Sequence, residues 1–462
     1  MSSSFFSEFT PADKAAWEKQ ARKELKEKYG SLVKWNPAKD ISIDSYHTAQ
    51  DLDAKGVSEM QQSQRALPGW LNIPPVRFTE TAQTNSDIKN VVNSGGDGAL
   101  ILLNDRTLSQ QEFSRLFLDV RLSDHTFFFQ SAWPADELFR RLSQNTGYKL
   151  RGGIAFDPVA NWMRTGMAFE QNLEAILSLT KNPARLPGFR PVMVESHLYH
   201  NNGADPVQEL AFTISSAVIY LDTLTDLGLS AAQALDEMFF SISIGTSYLI
   251  EISKIRALRH LLHKLAGAYD IPAGQSNIYI HAQTSLFYHS ETASYTNLVR
   301  ESAAAMSAVL GGCDALTVNG FQSHLPQPTL LSDRIARNIS PVLAHEGFFD
   351  AVADPAAGSY AIENMSLKLS EAAWALFIEI EEKGGLIDCF KSGFVQKELR
   401  NSFDKKVSDL NHSAAVMIGV NRFNEKEMLA GNDVVEALNP DAFNLLKYLR
   451  LSSFFQNKQE TP

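Results

Sequence analysis

Residues 278–285 read IYIHAQTS: an apolar run of strand length that ends in an imidazole, an amide and two hydroxyls. Five further runs share that form: ALILLN (99–104), HTFFFQ (125–130), GGIAFD (152–157), PVMVES (191–196) and DALTVNGF (314–321). Runs that are apolar throughout suit parallel strands covered on both faces. Between them lie helical patterns. Val207, Leu210, Ala211, Ile214, Val218 and Leu221 recur at spacings of three and four and give one apolar stripe. Ser230 to Leu265 is long enough for two helices that break near Gly245. Strand–helix alternation on this scale means an α/β fold, either a closed (β/α)₈ barrel or an open doubly wound sheet.

Two features favour the (β/α)₈ TIM barrel. The runs end in Asn104 and Asp105, Gln130, Asp157, Glu195 and His197, His281 and Gln283, and Asn319. Barrel enzymes carry their working residues at those carboxyl ends. No strand leads into a Gly-x-Gly-x-x-Gly turn, and SGGDGA (94–99) precedes its strand, the wrong side for cradling a phosphate. The barrel is predicted over 67–415, opening with a proline-containing turn at LPGWLNIPP (67–75). Residues 1–66 read as an extended, partly helical arm, either a solvated charged helix or a segment that wraps a partner. Residues 416–462 read as a carboxyl-terminal linker and tail. Before it, SLKLSEAAWALFIEIEEKGG (366–385) is an amphipathic helix stopped by Gly384 and Gly385.

The 462 residues are 44% hydrophobic and 21% charged, which is ordinary for a globular chain longer than one compact core. A formal net charge of −11 argues against a nucleic-acid partner. The amino terminus has no basic start followed by an apolar run, and no stretch of 18 apolar residues exists, so neither a secretory signal nor a membrane span is expected. Cys313 and Cys389 lie far apart without a ligand cluster and read as reduced residues of a cytoplasmic protein.

ESHLYHNNGADPVQEL (195–210) concentrates two histidines and two asparagines before a helix. His197 and His200 lie three apart and His281 ends another strand. A metal site would need further ligands from other loops, so none is expected. No Gly-x-Ser-x-Gly elbow is present. HAQTS (281–285) either stabilises its loop or donates hydrogen bonds to a carboxylate or thioester carbonyl. KIRALRHLLHK (254–264) places Lys254, Arg256, Arg259, His260, His263 and Lys264 on one helix, read as a solvated face or a site for a neighbouring chain or phosphate.

GADPVQELAFTISSAVIYL, YLIEISKIRALR, HAQTS with YTNLVRESAAAMSAVLGGCDALTVNGF, DRIARNISPVLAHE, DPAAGSYAIE and GVNRF occur in that order. Together they resemble the acyl-CoA-binding barrel of the adenosylcobalamin-dependent methylmalonyl-CoA mutases, from about residue 67 to 423. The resemblance implies a (β/α)₈ barrel threaded by the acyl-CoA pantetheine, and a separate flavodoxin-like domain that holds the cobalamin against the barrel mouth. It implies radical interconversion of methylmalonyl-CoA and succinyl-CoA, the cofactor carrying the difficult chemistry. The arm resembles that of the family's small (beta) subunit.

Catalytic chains of the family carry a Tyr-His pair before the Gly-Ala that corresponds to Gly203 and Ala204. Those positions here are His197 and Leu198. Leucine cannot donate to a thioester oxygen; along the strand His197 points to the opposite face, and His200, on the face of Leu198, sits about 7 Å further on, so neither substitutes. Leu286 and Phe287 stand where catalytic chains have glycine and tryptophan, placing bulk in the ligand path; Asp314, Ala315 and Leu316 replace Gln-Ser-Leu. The stretch that grips CoA has no counterpart after Pro75, although His281 and Gln283 match in pattern. No histidine fits the Asp-x-His-x-x-Gly lower-ligand signature, and the roughly forty residues past GVNRF are short for a further domain.

The expectation is therefore a small, non-catalytic subunit with vestigial pocket positions His197, Leu198, His281, Gln283, Phe287 and Asp314. Adenosylcobalamin is expected on the catalytic large (alpha) subunit and none on this chain, which is expected to pair with that subunit or, when isolated, with itself. The alternatives are a catalytic acyl-CoA mutase barrel whose cobalamin domain is a separate chain, and a stand-alone CoA-binding barrel.

Overall fold

A computed structural model of the chain describes residues 13–455 except 39–40, 105–107, 132–134, 146–149, 168–187, 273, 292, 326–327 and 424–444; Asp105, a predicted strand-end residue, lies outside them. An antiparallel hairpin comes first, β1 (Lys34–Ala38) with β2 (Ile41–Asp44). The barrel strands follow: β3 (Leu71–Asn72), β4 (Pro75–Arg77), β5 (Gly98–Asn104), β6 (Thr126–Ser131), β7 (Arg151–Ile154), β8 (Phe189–Arg190), β9 (Val192–Glu195), β10 (Met238–Ile244), β11 (Ile280–Thr284) and β12 (Ala315–Thr317).

Two barrel strands are each split by a proline, which has no N–H to give to a ladder. Only Ile73 and Pro74 separate β3 from β4, and only Pro191 separates β8 from β9. β3 pairs with β12 while β4 pairs with β5; β8 pairs with β7 while β9 pairs with β10. With β5–β6–β7 and β10–β11–β12 also parallel, the pairing returns to its start. The eight extended segments form a closed (β/α)₈ barrel.

Two sequence expectations need correction. LPGWLNIPP is not merely a turn; it carries the first barrel strand, interrupted at Pro74. Ser230–Leu265 is not two helices meeting at Gly245. MFFSISI (238–244) is β10, every residue of it buried, between the helices Ala231–Asp236 and Tyr248–Ala268. The helical period was read through a strand whose alternate residues face the barrel interior and the helical layer.

Helices cover the barrel's outer face. Pro206–Asp226 starts where sequence dictates: Asp205 accepts from the amides of Val207 and Gln208, and Pro206 occupies the first turn. Tyr360–Glu382 ends before Gly384 and Gly385, as predicted. The basic helix Tyr248–Ala268 does not present a solvated cationic face. Lys254, Arg256 and Arg259 are 0%, 0% and 4% exposed and pair with Glu209 (2.7 Å), Glu363 (2.9 Å) and Asp314 (2.7 Å). Buried cations require such partners. They sit on the same helix as Leu258, Leu261 and Leu262, so spacing alone could not separate core from surface.

In the arm, the helix Lys14–Leu25 has no buried residue. The hairpin and the helix Ala54–Gln62 pack against the chain's own barrel: Ile41, Ile43 and Met60 are buried, Lys368 donates to Ser42 O (2.8 Å) and Gln61 to Glu363 (2.7 Å).

Inside the barrel, Ile73, Leu100, Phe128, Ala155, Met193, Phe239 and Ala315 form one apolar layer. The rings of Phe128 and Phe239 meet at 4.8 Å between centroids. Gly153 of β7 makes room for this contact: a Cβ there would lie 2.3 Å from the Arg190 carbonyl oxygen and 2.9 Å from the Phe239 ring.

Candidate functional site at the barrel mouth

A cavity of about 880 Å³ opens above that apolar layer, at the carboxyl ends of the strands. A second, of about 1070 Å³, lies at the opposite end among Trp70, Asp97, Arg151, Arg190, Tyr279 and His345. Phe128 lines both and stands as the partition between them.

β9 ends at Glu195, and residues 197–200 turn into a short helix rather than extending the strand. This overturns the strand geometry used to compare His197, Leu198 and His200. Successive side chains now diverge around a helical turn. His197 faces the upper cavity; Leu198 is fully buried in the outer core and gives its carbonyl to Asn202 (2.7 Å). Tyr199 bonds to Ser216 (2.9 Å) and His200 to Glu209 (3.0 Å). Burial opposes charge on Glu209, but Lys254 and His200 together pull its carboxyl down to about 2.

The imidazoles facing the cavity are joined by hydroxyls. Thr317 Oγ1 donates to the Ile73 carbonyl (2.7 Å) and so must accept from His281 Nε2 (2.8 Å). His281 Nδ1 then accepts from Ser241 Oγ (2.8 Å), leaving that oxygen to accept from His197 Nε2 (2.7 Å). Finally His197 Nδ1 accepts from Ser243 Oγ (2.7 Å). One proton order satisfies the whole chain, with both rings neutral and protonated on Nε2. Burial lowers His197 to about 4 and His281 to about 3. All four ring nitrogens are occupied, so neither ring has a nitrogen free for a substrate carbonyl, and neither titrates near neutrality.

Of the predicted pocket positions, His197, His281 and Gln283 line the upper cavity, and Leu198, Phe287 and Asp314 do not. Phe287 does not block the ligand path. It packs away from the cavity with Phe403, Leu410, Met417, Val420 and Leu451, while its neighbour Leu286 lines the wall. Asp314 precedes β12 at the opposite end of the barrel, where Arg65 (2.8 Å) and Arg259 (2.7 Å) hold it and it accepts from the Ile280 amide (2.8 Å).

Sequence reasoning missed Ser241 and Ser243, which organise the imidazoles. The signal was the i, i+2 spacing of serines within an apolar run. It also missed Ser323 and His324, whose polar side-chain atoms are buried at the cavity wall. Glu195 was named as a strand-end residue, but not its state: burial and the neighbouring Asp157 push it up to about 8. Residues 445–454 roof the cavity.

The family model described as methylmalonyl-CoA mutase matches residues 107–460. The chain belongs to the methylmalonyl-CoA mutase family. It is 26% identical to a methylmalonyl-CoA mutase small subunit of Porphyromonas gingivalis, covering 98% of this chain and 76% of that protein. It is 26% identical to a methylmalonyl-CoA mutase of Cereibacter sphaeroides, over 93% of this chain and 66% of that protein. A methylmalonyl-CoA mutase small subunit of Streptomyces virginiae shares 32% identity over 64% of this chain and 48% of its own length.

The family is adenosylcobalamin-dependent, and the barrel mouth does not fit that group. A corrinoid lying against the mouth would meet the roof of residues 445–454, and the imidazoles of His197, His200 and His281 are bonded within the protein. Among the described residues no cluster of three His, Cys, Asp or Glu could hold a metal ion, both cysteines are free and buried, and no helix is long and apolar enough to cross a membrane.

Proposed function

We propose that this chain is the non-catalytic small subunit of a cytoplasmic methylmalonyl-CoA mutase, a barrel that stabilises the catalytic large subunit, on which adenosylcobalamin acts. The observation that carries this reading is the filled axis. Phe128 and Phe239 meet at a tilt across the barrel where the family's pantetheine passes, between the upper and lower cavities. The engaged imidazoles support it, since polarising a thioester carbonyl requires a donor that is not already spent. The names of the similar small subunits are consistent with a partner barrel, against which the exposed helix Lys14–Leu25 would lie.

The test is calorimetric titration of the purified chain with methylmalonyl-CoA, alone and after addition of a large subunit. No heat of binding from the isolated chain, together with a raised melting temperature of the large subunit on pairing, is the expected result. Micromolar binding by the isolated chain would sink the reading in favour of a working acyl-CoA barrel.

A further inference from the structure

We propose that residues 445–455 form a detachable strap over the upper cavity, opened by ionisation of Glu195. Among the described residues the strap belongs to no ladder. It is held by three separate backbone bonds, from Leu446 N to Met163 O, Leu449 N to Asn201 O and Leu451 N to Phe287 O, each 2.9 Å. Leu446 and Leu451 are buried at its two ends, and Ser452 donates to the His289 carbonyl (2.7 Å). Arg450 pairs with Glu291 at 2.6 Å. Few bonds, spaced along a segment whose one regular element is the short 3₁₀ turn Leu451–Phe454, describe an element that opens as a unit without unfolding the barrel.

Between the anchors, half-exposed Tyr448 closes over Glu195, its Oη 3.4 Å from the carboxyl, with the Arg164 guanidinium 5.7 Å over its ring. The groups facing Glu195 come from every neighbouring element. Asp157 lies beneath it and accepts from its amide (2.9 Å); Tyr220 donates to Asp157 (2.6 Å) from the Pro206–Asp226 helix. Arg164 comes from the Pro158–Thr165 helix, His197 and Tyr199 from the short turn, and Tyr448 from the strap. One cation stands against two carboxyls, so covering Glu195 favours its neutral form.

The direction of the linkage follows. With the strap closed, burial and Asp157 raise Glu195 to about 8. Opening returns the carboxyl to water and lowers it, so closure takes up a proton. Closure is unaffected below the open-state value, weakens by at most about tenfold per pH unit between the two values, and levels off above about 8.

Hydrogen exchange of the Leu446, Leu449 and Leu451 amides, each divided by its unstructured rate, reads the closure constant directly in the full chain. From pH 6 to pH 8 the protection should fall about tenfold or more, while Glu195→Gln gives pH-independent protection. Amides of β10 serve as the fold check and stay protected in both proteins. A flat wild-type profile, or a Glu195→Gln profile with the wild-type slope, overturns the proposal.

Discussion

Cutting Phe128 back to alanine attacks the partition itself. The ring is 1% exposed and lies 4.8 Å from Phe239, 5.4 Å from His281 and 6.2 Å from Tyr279, centroid to centroid. Truncating a packed core phenylalanine costs about 3–5 kcal/mol, including the cavity left behind. Cavities on both sides let water reach the vacated space, which places the expected loss near the lower limit, about 3 kcal/mol. Phe128→Leu keeps most of the volume and should cost about 1 kcal/mol. Urea unfolding reads both, as a shifted midpoint with an unchanged slope. The alanine variant should also gain a continuous axis. A linear alkyl alcohol that spans it would then raise the midpoint of Phe128→Ala and leave the wild type unmoved. If alanine and leucine cost the same, or if alanine costs under about 1 kcal/mol, the ring does not fill the axis and the filled-barrel reasoning is wrong.

Two further outcomes follow from buried charge and from the imidazoles. Arg256→Met strands Glu363, itself 0% exposed, without its guanidinium; denaturation should show a loss of about 3–5 kcal/mol, partly recovered in Arg256→Met/Glu363→Gln, and a loss below about 1 kcal/mol would contradict the pairing. His197 and His281 are held near 4 and 3, below the ordinary histidine value, so the unfolded chain binds protons that the folded chain refuses as pH falls from about 6.5. The contribution of these two rings is therefore full above that pH and declines below it, and His281→Gln should flatten the decline between pH 6 and pH 4.5 by about 1.4 kcal/mol per pH unit; an unchanged slope would mean that His281 titrates normally in the fold.

The barrel was legible because its strands are apolar on both faces and end in polar residues, a pattern that few other arrangements produce. Where that signature weakened, the reading failed. Leu71–Arg77 is interrupted by prolines and was taken for a turn. Met238–Ile244 carries Ser241 and Ser243 on the face that looks inward and was absorbed into a helix. The site was legible as a list of residues but not as directions. One helical turn at 197–200, in place of two more strand residues, sends Leu198 into the outer core and keeps His197 over the cavity. Phe287 was correctly seen as bulk, yet bulk on a loop after β11 can point either way, and the partners that draw it outward, Phe403 and Leu451, come more than 100 residues later in the chain. The element that fills the axis, Phe128 in HTFFFQ, is one phenylalanine of three in a row. Only the strand's inward register distinguishes it from Phe127 and Phe129, which pack outward.

A barrel that must admit a ligand along its axis leaves its centre to be stabilised by that ligand. Two phenyl rings bury about 150–250 Å² each. At about 25 cal/mol per Å², the pair contributes on the order of 8–12 kcal/mol of gross hydrophobic stabilisation before entropy is charged. That is comparable to the whole net stability of an ordinary domain. Filling the axis therefore gives the barrel centre an apolar core built from the chain's own side chains. The hydroxyls of Ser241, Ser243 and Thr317 do the same for the imidazoles of His197 and His281, since each of their four ring nitrogens has a partner in the chain. Gly153 links the two changes to the sequence. A Cβ at that position would meet the Arg190 carbonyl at 2.3 Å and the Phe239 ring at 2.9 Å, so the side chain given up on β7 is what leaves room for the ring of β10, two positions along the barrel.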